Sequence, residues 1–457
     1  MASVPSPAPS ASRPEPSRPP QYRVQSGTLT AGSFDDHERL EDYRHYLSEV
    51  LQRDPGEKLP RMDIGRRVAI LVENEQGMPV ADARVVIRPA EDRQTSQGDS
   101  EPALVDVTTA GDGRAMFFSG IDGAKGRTKL SVAVYSPGGS TPVTQVVGVE
   151  TPLCRVRLPS VPERHLSRLD LALVVDCTGS MSDELEYLKV EIDSIATTVH
   201  RMFPQVDQRY ALVAYRDQGD EYVTRTFDFT GSLEQFRSTL SQQHASGGGD
   251  YPEAVHLALA EAGKLSWRKE GTARVLFLVG DAPPHEQYFR ETIEAVSALR
   301  RRTIRVYPVG ASGVAEQAEF IFREAAFLTQ GQYVFLTDHS GVGDSHAVPH
   351  VPDYQVERLD RLMLRMIASE LAGRKLPASE IIAIEGGQSP YAGTRAAPPR
   401  REASAPSPAP TPPEAAARLR TAWLPGSSAM QWTLLLGLFA VGKLAQEYVT
   451  RRNRDRQ

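Results

Sequence analysis

The chain has 457 residues, 40% of them hydrophobic and 24% charged, which permits two or three folded domains and excludes a chain too polar to build a core. Its net charge of −6 and sequence pI near 6.0, with no basic stripe carrying interleaved aromatics, exclude nucleic acid as the expected partner. Cys154 and Cys177 are the only cysteines, too few for a disulfide framework, and are expected to be unpaired, partly buried thiols.

Residues 1–35 are rich in Pro, Ser and Ala and carry few large apolar side chains to offset the entropy of ordering, so this arm is predicted to be disordered. It contains no apolar run able to act as a signal-peptide core, and no secretory leader is expected. Residues 36–64 read as a short helix and linker, because Leu40, Tyr43, Tyr46, Leu47, Val50 and Leu51 recur at helical spacing.

Between residues 65 and 160 the pattern turns to short β-type runs: RRVAILVEN, ARVVIRP, LVDVTT, AMFFSG, KLSVAVYSP, TQVVGVE and CRVRLP. Gly77-Met78-Pro79 turns the first hairpin and Gly111-Asp112-Gly113 another, so an all-β sandwich is predicted. These runs resemble the carboxypeptidase-regulatory and related immunoglobulin-like sandwiches. That resemblance implies a spacer or support, and its loops hold no metal or catalytic constellation.

Residues 165–374 alternate strands and helices. LDLALVVD reads as a central strand buried on both faces, and the helix after it carries Leu185, Leu188, Ile192, Ile195 and Val199 on one side. The strand runs QRYALVAYR, YVTRTFDFT, ARVLFLVGD, TIRVYPVGA and GQYVFLTD follow, with helical stretches between them, and VERLDRLMLRMIASELAG closes the domain. The prediction is a doubly wound, Rossmann-like α/β domain whose ligand site lies beyond the carboxyl ends of the strands, where strand order reverses.

Three motifs sit at those ends: Asp176-Cys177-Thr178-Gly179-Ser180 after the first strand, Gly247-Gly248-Gly249-Asp250-Tyr251-Pro252-Glu253, and Asp281 in VGDAPPH. Together they resemble the metal-ion-dependent adhesion site of von Willebrand factor type A (vWA) domains, in the branch with DxTGSM, GGGDxPE and DAPPH. The resemblance implies a Mg²⁺ site, with Mn²⁺ or Ca²⁺ as alternatives. Thr178 and Ser180 would ligate through their hydroxyls, Asp176 and Asp281 would hold coordinated waters, and one position would be left for a carboxylate of a protein partner. Asp250 stands where better-known adhesion domains have threonine. It would ligate directly or through water, adding negative charge, or else cap a helix starting at Pro252. Gly247 to Gly249 would let backbone approach the ion. The segment Val213–Thr230 strengthens the match but supplies no obvious ligand, and His285 reads as a loop residue.

Enzymatic readings fit less well. A haloacid-dehalogenase-type phosphatase needs a second carboxylate where Thr178 stands, and a serine hydrolase needs a Gly-x-Ser-x-Gly elbow that Thr178-Gly179-Ser180-Met181-Ser182 does not provide. No Gly-x-Gly-x-x-Gly follows the first strand, which removes a dinucleotide site.

Residues 388–420 form a Pro/Ala-rich linker, and 429–449 a candidate transmembrane helix, with Trp423 and Trp432 where interfacial aromatics would sit and a basic tail after it. The expected architecture is multidomain: a β-sandwich, the vWA domain and a C-terminal hydrophobic helix. The expected function is cation-dependent protein binding by a non-enzymatic, single-pass membrane protein of bacterial type. The basic tail favours a vWA domain outside the cell and the missing leader one inside. The alternative is a vWA regulatory subunit presenting clients to a cytoplasmic ATPase.

Overall fold

The computed structural model describes residues 25–385 except 55–57, 62–65, 91–101, 125, 163–165 and 343–345, together with 395–396. The N-terminal arm corrects the sequence expectation. Thr30–Phe34, assigned by composition to the disordered stretch, forms strand β1, antiparallel to the distant strand Tyr333–Leu336. A five-residue strand owes its order to the edge it joins, which its own composition cannot show. The arm is held further upstream by Glu191, whose carboxylate accepts from the Gly27 N–H at 2.8 Å and the Ser26 hydroxyl at 2.9 Å. Helix α1 (Leu40–Arg53) follows and buries Tyr43, Tyr46 and Val50. It is docked by a buried ion pair, Asp36 to Arg323 at 2.6 Å, with the Arg323 guanidinium 3.7 Å from the Tyr46 ring centroid.

The seven β-type runs all fall on strands: β2 (Arg67–Asn74), β3 (Arg84–Pro89), β4 (Val105–Thr108), β5 (Arg114–Phe118), β6 (Lys129–Tyr135), β7 (Pro142–Gly148) and β8 (Leu153–Leu158). They make two sheets, ordered β5-β2-β8 and β4-β3-β6-β7. Alternation sends Val68, Ile70 and Val72 of β2, Val85 and Ile87 of β3, and Cys154, Val156 and Leu158 of β8 into one shared core.

The larger sheet is built from β9 (Arg168–Asp176), β10 (Asp207–Tyr215), β11 (Thr224–Thr230), β12 (Thr272–Gly280), β13 (Arg305–Gly310) and β14 (Tyr333–Leu336). Between them lie α2 (Ser182–Met202), α3 (Leu233–Ser241), α4 (Val255–Lys264), α5 (Phe289–Arg301) and α6 (Glu316–Thr329). Short strands β15 (Tyr354–Gln355) and β16 (Glu357–Arg358) precede α7 (Leu359–Ala372) and α8 (Ala378–Glu385). The sheet order is β11-β10-β9-β12-β13-β14-β1-β16, with β10, β9, β12, β13 and β14 parallel. Because the side-chain period is two, Leu171, Leu173 and Val175 of β9 face the layer of α2 and α7, while Ala172 and Val174 face α4, α5 and α6. Strand order reverses at β9, since β10 lies on one side of it and β12 on the other, and that opens a crevice at its carboxyl end.

The two-sheet unit is fastened to this domain by polar contacts. Arg300 of α5 pairs with Asp122, both nearly fully buried, and donates to the Met116 carbonyl at 3.0 Å. Arg305 reaches Asp112 at 2.7 Å and Glu370 at 3.3 Å. Among the described residues no helix is long and apolar enough to cross a membrane. The candidate span 429–449 lies outside the described residues, as does the linker at 388–420 apart from residues 395–396. Removing one partner of a buried ion pair leaves an uncompensated charge, at a cost of about 3–5 kcal/mol. Asp122→Ala is therefore expected to lower the midpoint of thermal unfolding by several degrees, whereas Asp106→Ala, which breaks the exposed pair with Arg84, is expected to change it by little. Equal effects in a calorimetric scan would refute this ranking.

Candidate metal centre

Asp176 is the last residue of β9 and is fully buried. Its Oδ1 accepts from the Thr178 N–H at 2.9 Å and the Thr178 hydroxyl at 2.7 Å, and Thr178 Oγ1 lies 3.2 Å from Ser180 Oγ. The chain then enters α2 through one 3-10 turn, Gly179–Met181. Val175 pairs with Val279 across β9 and β12, so Asp281, just past the end of β12, emerges beside Asp176.

The glycine loop closes over these residues. Its Gly247 carbonyl accepts from the Gly179 N–H at 3.0 Å, and the Ser246 N–H donates to the Cys177 carbonyl at 3.0 Å. Buried Arg216 clamps the same two loops, donating to the carbonyls of Cys177 at 3.0 Å and His244 at 2.8 Å. Gly248 has φ of +75°, and a Cβ there would stand 3.1 Å from Thr178 Cβ and 3.2 Å from Glu253 Oε1. The close approach and the left-handed backbone together explain glycine at this position.

Asp176, Thr178 and Ser180 thus form one hydrogen-bonded chain, with Asp281 at the adjoining strand end. Asp250 is placed differently. It is exposed and lies with Asp217 and His285, the three offering ligand atoms all within 4.8 Å of one another. Its capping role is not realised, because α4 begins at Val255 with Ala254 at the cap position. The helix starts late because Glu253 is still engaged in a strand-like bridge with Pro284. Nor is the Val213–Thr230 segment without a functional candidate, since Asp217 accepts from or pairs with His285 Nε2 at 2.8 Å. Sequence reasoning also passed over Glu253. Its signal was its place in GGGDYPE, where a Pro-Glu pair reads as a helix start rather than as a buried carboxylate.

Three carboxylate oxygens here, Asp176 Oδ2, Asp281 Oδ1 and Glu253 Oε2, are buried without a well-formed hydrogen bond among the described residues. Burial pushes the Asp176 carboxyl up to about 7, the charge of Asp281 adding to it and the Thr178 hydrogen bonds opposing it. Burial likewise raises Asp281. Glu253 is driven up to about 9, first by burial and then by the charges of Asp176, Asp217, Asp281 and Asp220. Buried acceptors without donors are costly, and a divalent cation removes both the desolvation and the repulsion. Hydroxyl and carboxylate oxygens are the donors that Mg²⁺, Mn²⁺ and Ca²⁺ take, so the residues present fit such an ion. Tyr251 braces the rim, its hydroxyl accepting from the Ala315 N–H at 2.7 Å and lying 3.1 Å from the Asp281 carbonyl.

A parallel sheet whose first strand ends in Asp-x-Thr-x-Ser, beside an Asp at the next strand end, defines the vWA class of domain. Residues 170–342 match the family model for the von Willebrand factor A domain, and this part of the chain is a vWA domain. The alpha-protein kinase vwkA of Dictyostelium discoideum is 33% identical over 119 residues, covering 26% of this chain and 19% of that protein. The human von Willebrand factor A domain-containing protein 7 is 28% identical over 206 residues, covering 41% of this chain and 22% of its own length. The chain thus spans about a fifth of the length of these relatives. Among solved structures, the conserved hypothetical protein BatB from Bacteroides thetaiotaomicron is 14% identical, with a TM-score of 0.32, covering 44% of this chain and 98% of that one.

A carboxyl whose folded pKa is raised binds more protons in the native than in the unfolded state between the two values, so its contribution to stability falls as pH rises through that window. For Glu253 the window runs from the ordinary glutamate value of 4.5 to about 9. In chelator, Glu253→Gln is expected to gain stability relative to the parent as pH increases from about 5 to 8. A difference in melting temperature that stays constant across this range would show that the carboxyl is not held protonated.

Proposed function

We propose that the vWA domain is a divalent-cation-dependent protein-binding module, with Mg²⁺ held by Thr178 and Ser180 and by the carboxylates of Asp176 and Asp281. The observation that carries this reading is that three buried carboxylates, each with an oxygen lacking a hydrogen-bond partner among the described residues, occupy the same crevice as the Thr178–Ser180 hydroxyl pair. A bound ion would supply positive charge beside an exposed rim, including Ser180 and Tyr251, where a carboxylate of a protein ligand can approach. Glu253 joins this set as a further buried carboxylate, and Asp250 serves at its edge. The reading assigns binding rather than turnover, and gives the two-sheet unit, a sandwich of the carboxypeptidase-regulatory or immunoglobulin-like kind, the role of support. Tethering to a membrane through 429–449 is part of the same proposal and rests on the sequence alone.

An ion that binds only the folded state stabilises it by RT ln(1 + [L]/Kd), about 2.7 kcal/mol at a hundred times Kd. Mg²⁺ is therefore expected to raise the melting temperature of the chelated chain by several degrees, and Thr178→Ala to abolish most of that gain. Pull-downs with the parent and Asp176→Ala, with and without chelator, test the binding role. A parent protein with no response to Mg²⁺, Mn²⁺ or Ca²⁺ would refute the site, and identical partners in every lane would refute cation-mediated recognition.

A further inference from the structure

The acidic crevice continues past the first site. Asp217 lies just beyond β10, Asp250 in the glycine loop between α3 and α4, and His285 in the loop after β12, so three separate loops deliver one donor each. Asp217 is 5% exposed, and its N–H is tied to Asp220 Oδ2 at 3.2 Å, while Asp220 also accepts from the Gly248 N–H at 3.0 Å. His285 Nε2 stands 2.8 Å from Asp217 Oδ1. The loop that carries His285 is fixed to the loop that carries Asp250, because the Glu253 N–H donates to the Pro283 carbonyl at 2.9 Å and Glu253 bridges to Pro284.

The second observation is Glu253 itself. It is 3% exposed and its Oε2 lacks a hydrogen-bond partner among the described residues. A Cβ on Gly248 would stand 3.2 Å from Glu253 Oε1 and 3.1 Å from Thr178 Cβ, and the Gly248 N–H donates to Asp220 at 3.0 Å, so this buried carboxylate lies between the hydroxyl site and the Asp217–Asp220 loop. A lone His285–Asp217 pair linking two loops would explain neither that orphaned oxygen nor an aspartate from a third loop beside the imidazole. Nor would one divalent ion at the hydroxyl site offset the carboxylates of Asp217, Asp220 and Asp250 in addition to those of Asp176, Asp281 and Glu253.

We propose that Asp217, Asp250 and His285 hold a second divalent cation beside the first, with Glu253 as the carboxylate between the two positions. Its chemistry differs from that of the first site. An imidazole nitrogen with carboxylate oxygens suits Zn²⁺ or Mn²⁺, whereas the hydroxyl and carboxylate set suits Mg²⁺. The crevice is then a two-ion centre in which the ions are distinguished by donor type.

The test uses the full chain, stripped with chelator and returned to excess Mg²⁺, into which Zn²⁺ alone is titrated calorimetrically, with bound metal counted by elemental analysis after gel filtration. The expected result is one saturable Zn²⁺ equivalent per chain in the presence of Mg²⁺. Removing the support of a metal ligand costs roughly 10–100-fold in affinity, so removal of a ligand itself is expected to cost at least that much. Asp250→Asn and His285→Gln should both show this loss, and Asp250 is exposed, so its variant is not expected to disturb folding. Thr178→Ala should lose the Mg²⁺ response and keep the Zn²⁺ equivalent, which separates failure of the first site from failure of the second. The proposal is overturned if no saturable Zn²⁺ binds, if Asp250→Asn and His285→Gln bind it as the parent does, or if Thr178→Ala alone abolishes it.

Discussion

Repulsion among buried carboxylates is the constraint around which this domain is arranged. Asp176 and Asp281 end two neighbouring strands whose register pairs Val175 with Val279, and neither can be moved away without breaking β9 and β12 in the middle of the sheet. Glu253 is brought against them by a loop clamped through Arg216 and the Gly179–Gly247 backbone hydrogen bond. The hydrophobic layers on both faces of the sheet supply the stability that tolerates such an arrangement. Residues held against their own electrostatic preference in a crevice at a strand-order reversal are where function is expected on physical grounds.

The fold and site differ in how far they were legible beforehand. The β-type runs and the alternating strands and helices were readable because burial on one or two faces imposes a period on the side chains, and the Asp176-x-Thr178-x-Ser180 loop because its spacing is local. What was not readable depends on distant partners. The strand at Thr30–Phe34 needs the edge of β14, more than 290 residues further on, and composition carries no trace of it. Asp217 and His285 come from loops far apart in sequence, and each alone reads as a loop residue, while Asp250 is legible as a ligand but not as a neighbour of these two. Glu253 was hidden by its proline, because Pro-Glu at the start of an apolar run favours a helix, and only the bridge to Pro284 delays α4 to Val255.

Polar fastening is also the theme of the contact between the two-sheet unit and the vWA domain. Arg300 with Asp122, and Arg305 with Asp112 and Glu370, join the two through charges, beside an apolar contact in which Ala69, Met116 and Phe118 pack into the vWA core against Phe327. Tyr307 completes the second group by donating to Glu370 at 2.7 Å. Such contacts require accurate geometry, since a misplaced charge in this setting costs more than a misplaced methyl group. They fix the position of the two-sheet unit at the end of the sheet opposite the crevice, because Arg305 opens β13 whereas Asp176 closes β9, which runs parallel to it with β12 between.

The strand at Thr30–Phe34 has a consequence for the architecture of the whole chain. It belongs to the vWA sheet yet precedes the two-sheet unit in sequence, so that unit is an insertion within a discontinuous domain rather than a module strung before it. The chain crosses between the two bodies twice, once on the way in after α1 and once on the way out before β9. A vWA fragment cut at the start of β9 would lack its seventh strand and would bare the edge of β14, an invitation to pair with another chain. The smallest unit able to present this crevice faithfully therefore begins in the N-terminal arm.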